Sequence, residues 1–112
     1  MRVDEKIVGE VAVLTLKGDI LDTEDDATFQ QKIMSLVVDG VRKVIVDMGR
    51  VNKVNSRGLS SLITAVKTMH KSNGDIRIAG LDQHVNDIFV ETRLTRLFPT
   101  YETVGRAMAS YS

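Results

Sequence analysis

The chain contains no cysteine, which excludes a disulfide scaffold, a thiolate metal site and a cysteine nucleophile together. It has no excess charge of either sign, since 15 lysines and arginines balance 15 aspartates and glutamates. No global field therefore draws it to nucleic acid or to an anionic membrane surface, and partner choice must be local. No apolar run approaches the roughly 20 residues needed to cross a bilayer. The opening residues, Met1-Arg2-Val3-Asp4-Glu5-Lys6, mix charges where a secretory leader needs a basic segment followed by a continuous apolar stretch. A Gly-rich phosphate loop of the Walker kind is also missing. His70 and His84 stand apart, without a second ligand at helical or ribbon spacing. These absences lead away from a metal or hydrolytic enzyme. They predict a soluble protein with no cofactor of its own, and a cytoplasmic home fits them.

What is present suits one compact domain over residues 1 to 112, with 43% hydrophobic residues to build its core. Residues 2 to 8 and 11 to 17 read as strands joined by a Gly9-Glu10 hairpin turn. In the second strand Leu14 and Leu16 share one face while Val11, Val13 and Thr15 share the other, and this strand is expected to pair on both edges. Thr23 followed by Asp26 resembles a capping box that opens a helix. Phe29, Ile33, Leu36 and Val37 then recur at helical spacing, and Gly40 supplies the stop. Val44-Ile45-Val46 reads as a central strand covered on both faces, closed by Asp47. A second helix carries the stripe Leu59, Leu62, Ile63, Val66 and Met69 and ends before Ser72-Asn73-Gly74.

Residues 75 to 79 alternate as a strand, and Asp82 can cap a third helix bearing Val85, Ile88 and Phe89. Leu97-Phe98 predicts a short last strand. Thr100 is expected to cap a final helix with the stripe Val104, Ala107, Met108 and Tyr111, leaving Pro99 just outside it. An opening hairpin followed by alternating helices and strands implies an α/β fold: a mixed, mostly parallel sheet of four to five strands with about four helices and right-handed crossovers.

The most informative stretch runs from the buried strand to the second helix: Val46-Asp47-Met48-Gly49-Arg50-Val51-Asn52-Lys53-Val54-Asn55-Ser56-Arg57-Gly58-Leu59. Asn55 and Ser56 are both good amino-terminal caps, and Gly58 in the first turn predicts a backbone open to close approach by another chain. Ser56 is thus placed at the positive end of the helix dipole. A phosphate there would bring up to two negative charges to a position where an anion is favoured by roughly 0.3 to 1 kcal/mol. Serine is also among the commonest caps, so these residues alone leave two roles open for Ser56: helix cap or modification site.

This stretch resembles the STAS domain, and within it the small anti-sigma factor antagonists of bacterial stress and sporulation control. The family pattern has a buried strand ending in an acidic or polar residue, a short loop with a hydrophobic residue, then Asp-Ser-x-Gly-Leu opening a helix. Val44-Ile45-Val46-Asp47-Met48, then Val51 and Val54, then Asn55-Ser56-Arg57-Gly58-Leu59 stand in that order here. Gly18, Asp19, Leu21 and Asp22 match the family's glycine, acid and Leu-Asp if Ile20 is an insertion. Val85, Ile88, Phe89, Leu94 and Phe98 fall where the family has a Val-x-x-Leu-Phe helix and a Leu-x-x-x-Phe close.

The resemblance implies that Ser56 is a phosphoacceptor. It implies a partner surface of Asp19, Asp22, Asn55, Ser56, Arg57, Gly58 and Leu59, and a partner that is both anti-sigma factor and serine kinase and supplies ATP and magnesium. Two residues depart from the pattern. Asn55 replaces the motif's aspartate, and Arg57 occupies a usually small position, where it could pair with a phosphate on Ser56 or obstruct a partner. The same fold without the phosphorylation cycle would make a constitutive docking subunit, in a stress-sensing assembly or beside a transporter. A receiver domain, suggested by the strand ending at Asp47, fails on context: receivers need an acidic pair after the first strand, and here a hairpin opens the chain. Glu24, Asp25 and Asp26 could suggest a cation site, but three acids in a first turn are more often dipole partners.

Overall fold

A computed structural model describes residues Met1–Ser112. Its strands are β1 (Arg2–Val8), β2 (Val11–Lys17), β3 (Lys43–Asp47), β4 (Asp75–Ala79) and β5 (Thr100–Tyr101). Its helices are α1 (Thr23–Val38), α2 (Ser56–Lys71), α3 (Gln83–Glu91) and α4 (Val104–Ser110). All five strands form one sheet in the order β1-β2-β3-β4-β5, antiparallel between β1 and β2 and parallel thereafter. The expected mixed, mostly parallel sheet with four helices is borne out.

The hairpin turn forms because Gly9 adopts φ +61°, the left-handed conformation that a turn matching strand twist requires at its first central residue. β2 then pairs with β1 on one edge and β3 on the other, as its pattern predicts. Its register sets Leu14 beside Val46, and β3 in turn sets Val46 beside Ile78. These side chains enter the main core, which α1 fills with Phe29, Ile33 and Leu36, α2 with Leu62, Ala65, Val66 and Met69, and α3 with Val85 and Phe89. On the opposite face Val11, Val13, Ile45 and Ala79 meet α4 through Ala107, with Val104, Met108 and Tyr111 packed around them. Val44, Ile45 and Val46 are each fully buried, divided between the two cores. That is why the three central residues of this strand are all apolar, with Lys43 and Asp47 kept to its ends.

α4 is short, and its grip on the sheet is partly polar. The Tyr111 hydroxyl donates to the Val44 carbonyl at 3.1 Å, and the Arg77 guanidinium lies 3.9 Å from the centre of the Tyr111 ring. Burial, and then the nearby Asp75 carboxylate, push the Tyr111 hydroxyl to a higher pKa than a free tyrosine, so it stays a donor.

Two helix caps and the last strand correct expectations. The cap of α1 is Asp22 rather than Thr23: the Asp22 carboxylate accepts from the Asp25 amide at 2.8 Å, and Asp25 reaches back to the Leu21 amide at 3.1 Å. Both residues can cap, and the ionised acceptor, which makes the stronger bond, holds the position. The last strand is Thr100–Tyr101, not Leu97-Phe98. Pro99 has no N–H to donate, so pairing begins at its carbonyl, which accepts from the Ile78 amide at 3.0 Å. Phe98 instead turns into the main core with its ring 6.1 Å from that of Phe89. Because Thr100 lies in β5, the cap of α4 is Thr103, which accepts from the Arg106 amide at 3.1 Å. Gly40 does end α1 as expected, with φ +83° and the paired Gly40-to-Val37 and Val41-to-Leu36 bonds of a Schellman stop.

Candidate partner-recognition site

The loop from β3 to α2 and the loop from β2 to α1 leave the same end of the sheet, and three contacts tie them together. Asp19 accepts from the amides of Asn52 and Lys53 at 2.9 and 3.3 Å, bridging the two loops. Gly58 is buried, and a Cβ built there would lie 3.2 Å from the Ile20 carbonyl oxygen and 3.3 Å from Val54 Cγ1. Ser61, 2% exposed, donates to Asp26 at 2.6 Å and accepts from Gln30, which also donates to the Ser61 carbonyl at 2.7 Å. Beneath this junction Val51 and Ile20 are buried in the main core.

Asn55 has extended backbone, φ −98° and ψ −177°, and its side chain accepts from the Gly58 amide at 2.9 Å. It is therefore the cap of α2, and Ser56 is the first helical residue. Ser56 is exposed and its hydroxyl makes no hydrogen bond within the chain. The cap satisfies Gly58, and the Leu59 amide bonds to the Asn55 carbonyl at 3.0 Å, so the amides of Ser56 and Arg57 are left without an acceptor. The helix they open is 16 residues long, with no acid in its first turn and His70 and Lys71 in its last. The first turn of α2 therefore supplies no carboxylate of its own to offset the dipole at Ser56, and Asp26 of α1 lines the same depression.

Ser56 opens onto a shallow depression lined by Leu21, Asp26, Asn55, Ser56, Arg57 and Ser60. Of the seven residues expected at a partner surface, Asn55, Ser56, Arg57 and Asp22 are exposed. Asp19 and Leu59 are half-buried, Asp19 as the latch between loops and Leu59 against the main core. Gly58 departs from expectation. The backbone that approaches it is that of Ile20 in the same chain, so no face of Gly58 is open to another protein. Arg57 makes no ion pair. Sequence reasoning missed Leu21, half exposed at the rim, as well as Asp26 and Ser60. A pair of large apolar residues, Ile20 and Leu21, between Asp19 and Asp22 is the available signal for Leu21. Nothing local marks Asp26, whose partner is 35 residues away.

The family model for the STAS domain matches residues 2–107. The chain belongs to the STAS domain family. It is 23% identical over 107 residues to BtrV of Bordetella bronchiseptica, a protein provisionally named an anti-sigma factor antagonist, covering 96% of this STAS chain and 90% of that one. Its fold matches a structure from Thermotoga maritima, also provisionally an anti-sigma factor antagonist, with a TM-score of 0.87 at 22% identity over 96% of this chain and 92% of the other. The STAS domain of a SulP transporter from Vibrio cholerae matches with a TM-score of 0.77 at 17% identity, over 95% and 84% of the two chains. The STAS fold is thus shared between proteins of different occupation, and the occupation of this one must be argued from its site.

Proposed function

We propose that this STAS protein is an anti-sigma factor antagonist, switched by phosphorylation of Ser56 and recognised by an anti-sigma factor that is also a serine kinase. The observation that carries this reading is the division of labour at the start of α2. Asn55 does the capping, which leaves the Ser56 hydroxyl exposed, unbonded and beside two free amides. A serine kept only to cap a helix would have its oxygen engaged. In the transfer, Ser56 Oγ attacks the γ-phosphorus of the partner's ATP, the bond from that phosphorus to the ADP oxygen breaks, and the hydroxyl proton passes to a base. The product places a dianion where the dipole and the unpaired amides favour it, so modification proceeds without unfolding the helix.

The partner surface comprises Asn55, Ser56 and Arg57 at the depression, with exposed Asp22 and half-buried Leu59 beside it, and Asp19 and Gly58 hold its two loops together from beneath. The names of the Bordetella and Thermotoga relatives support this role. Incubation with ATP and the candidate kinase, followed by intact mass measurement, tests it. A gain of one phosphate that disappears in Ser56→Ala is expected, and no gain with any cognate kinase overturns the reading. Ser56→Asp should weaken partner binding in calorimetry, because its charge would be desolvated in the interface. Equal affinity would count against the surface.

A second reading is favoured by the sequence at the site itself. Asn55 stands where the family motif has aspartate, and Arg57 where a small residue is usual, as in a subunit that docks constitutively without a phosphorylation cycle. The SulP transporter domain is a STAS fold attached to another task. The mass experiment separates the two.

A further inference from the structure

The two edges of the sheet are unlike. β5 has two residues and offers little to pair with, whereas β1 has seven, contains no proline, and borders only β2 within the sheet. A long unpaired edge is a template for another strand. Ile7 and Val8 near its end are 52% and 39% exposed. Lys6 makes no ion pair within the chain, although Asp4 pairs with Arg2 and Lys17, and Glu5 with Lys32.

We infer that the free edge of β1 pairs antiparallel with β1 of a second copy of this chain, about a two-fold axis at Glu5, joining two sheets into one. Three independent features select the same register. The first is backbone parity. The two-residue turn at Gly9-Glu10 makes Val8 and Val11 the pair that exchanges both hydrogen bonds, and bonding alternates from there. Lys6, Asp4 and Arg2 therefore bond to β2, while Val3, Glu5 and Ile7 turn their amides and carbonyls outward. Glu5 opposite itself, with Val3 opposite Ile7, satisfies every outward group in that set.

The second feature is overlap: with Glu5 on the axis, Arg2 opposes Val8, and all seven residues of each strand are covered. The third is charge. Asp4 then opposes Lys6 of the second copy, and Lys6 opposes its Asp4, giving the unpaired ammonium a carboxylate twice over. On the other face Glu5 opposes Glu5 of the second copy, a like-charge pair offset in each copy by Lys32 at 3.7 Å, and Val3 meets Ile7. A slip by one step either way also sets like charges together, Asp4 against Asp4 or Lys6 against Lys6, and loses both attractive Asp4–Lys6 pairs. The axis lies perpendicular to the sheet, so the two Ser56 sites face opposite ends of the joined sheet and stay open. The pairing does not depend on whether Ser56 is modified.

Sedimentation velocity on the full chain over a range of concentrations tests this. The wild type should show a dimer whose share rises with concentration and falls with added salt. Lys6→Glu should weaken association roughly tenfold, since it converts two attractive pairs to repulsive ones. The double variant Asp4→Lys with Lys6→Glu should restore it. Glu5→Pro removes only an outward amide and should abolish the dimer while circular dichroism shows the fold retained. A wild type that stays monomeric at the highest attainable concentration overturns the inference, as does a folded Glu5→Pro protein that still dimerises. Should Glu5→Pro fail to fold, the Lys6→Glu and double-variant pair decides: unchanged association in the first, or no recovery in the second, rejects this register.

Discussion

The amino termini of α1 and α2 lie side by side at one end of the sheet, and they have been furnished in opposite ways. α1 is capped by a carboxylate, Asp22, and follows it with Glu24, Asp25 and Asp26 in the first turn. α2 is capped by a neutral amide, Asn55, and after Ser56 has Arg57, Gly58 and Leu59 in the same places, with no acid among them. Both helices have 16 residues, so their dipoles make comparable demands. At α1 the chain answers that demand itself. At α2 it leaves the demand standing, with a hydroxyl in front of it. Two equivalent ends in one molecule show that the bare one is not a general habit of this sequence.

Several substitutions would break or sharpen this contrast. The largest effect belongs to Leu62, 1% exposed beneath the first turns of α2. Leu62→Ala should cost about 2 to 5 kcal/mol of stability in denaturant titrations, and a loss under about 0.5 kcal/mol would mean the helix presents a different face. Gly58→Ala comes next. Helix propensity alone favours alanine by about 1 kcal/mol, but the added Cβ meets the Ile20 carbonyl at 3.2 Å. Overpacking of about 1 to 3 kcal/mol should match or outweigh the gain, for a net loss of about 0 to 2 kcal/mol. A more stable variant would show that the two loops separate easily.

Asp22→Ala and Asn55→Ala each remove a cap and should each cost about 1 kcal/mol at neutral pH. Acid distinguishes the two ends. The Asp25 carboxyl is held below the usual carboxylate range, chiefly by the Leu21 amide and further by the Met1 ammonium at 3.1 Å, while burial works against both. A group whose pKa is lowered in the folded state stabilises the fold above its unfolded pKa and loses that contribution as pH falls through the folded value. Amide exchange should therefore accelerate at the start of α1 below about pH 4, with no matching step at α2, whose first turn has no acid to titrate. The smallest effect is Ser56→Asp, which should raise folding stability by about 0.3 to 1 kcal/mol. Thr23→Asp, made at the end already crowded with carboxylates, should gain nothing. Equal gains at both positions would erase the contrast.

Much of this architecture was legible because it is written in local periodicity. The alternation in β2, the wholly apolar Val44-Ile45-Val46 and the α2 stripe each announce one element, whereas the cap of α2 stays open between Asn55 and Ser56 until the fold gives it to Asn55. The misreadings occurred where two neighbouring residues are chemically equivalent for the same task. Asp22 and Thr23 can both cap, as can Thr100 and Thr103, and sequence offers no vote between them. Phe98 was read as strand because it is apolar, although its burial against Phe89 comes from a turn, not a sheet. Asp19 holding Asn52 and Lys53, and Asp26 holding Ser61, join residues more than 30 positions apart. Those bonds are invisible until the chain is folded. The approach of Ile20 to Gly58 is likewise nonlocal, which is why an inward-facing glycine read as an outward-facing one.

The latch between the two loops has a consequence for how the site could ever signal. Because Asp19 pins the backbone of Asn52 and Lys53 and the Ile20 carbonyl abuts Gly58, the ground around Ser56 has no slack in which to rearrange. Any message written there has to be carried by the added group itself rather than by movement of the backbone: the two forms of the protein would share one framework and differ in one protruding charge. A reader that senses a shifted loop would be blind to the difference, and one that senses local charge would not.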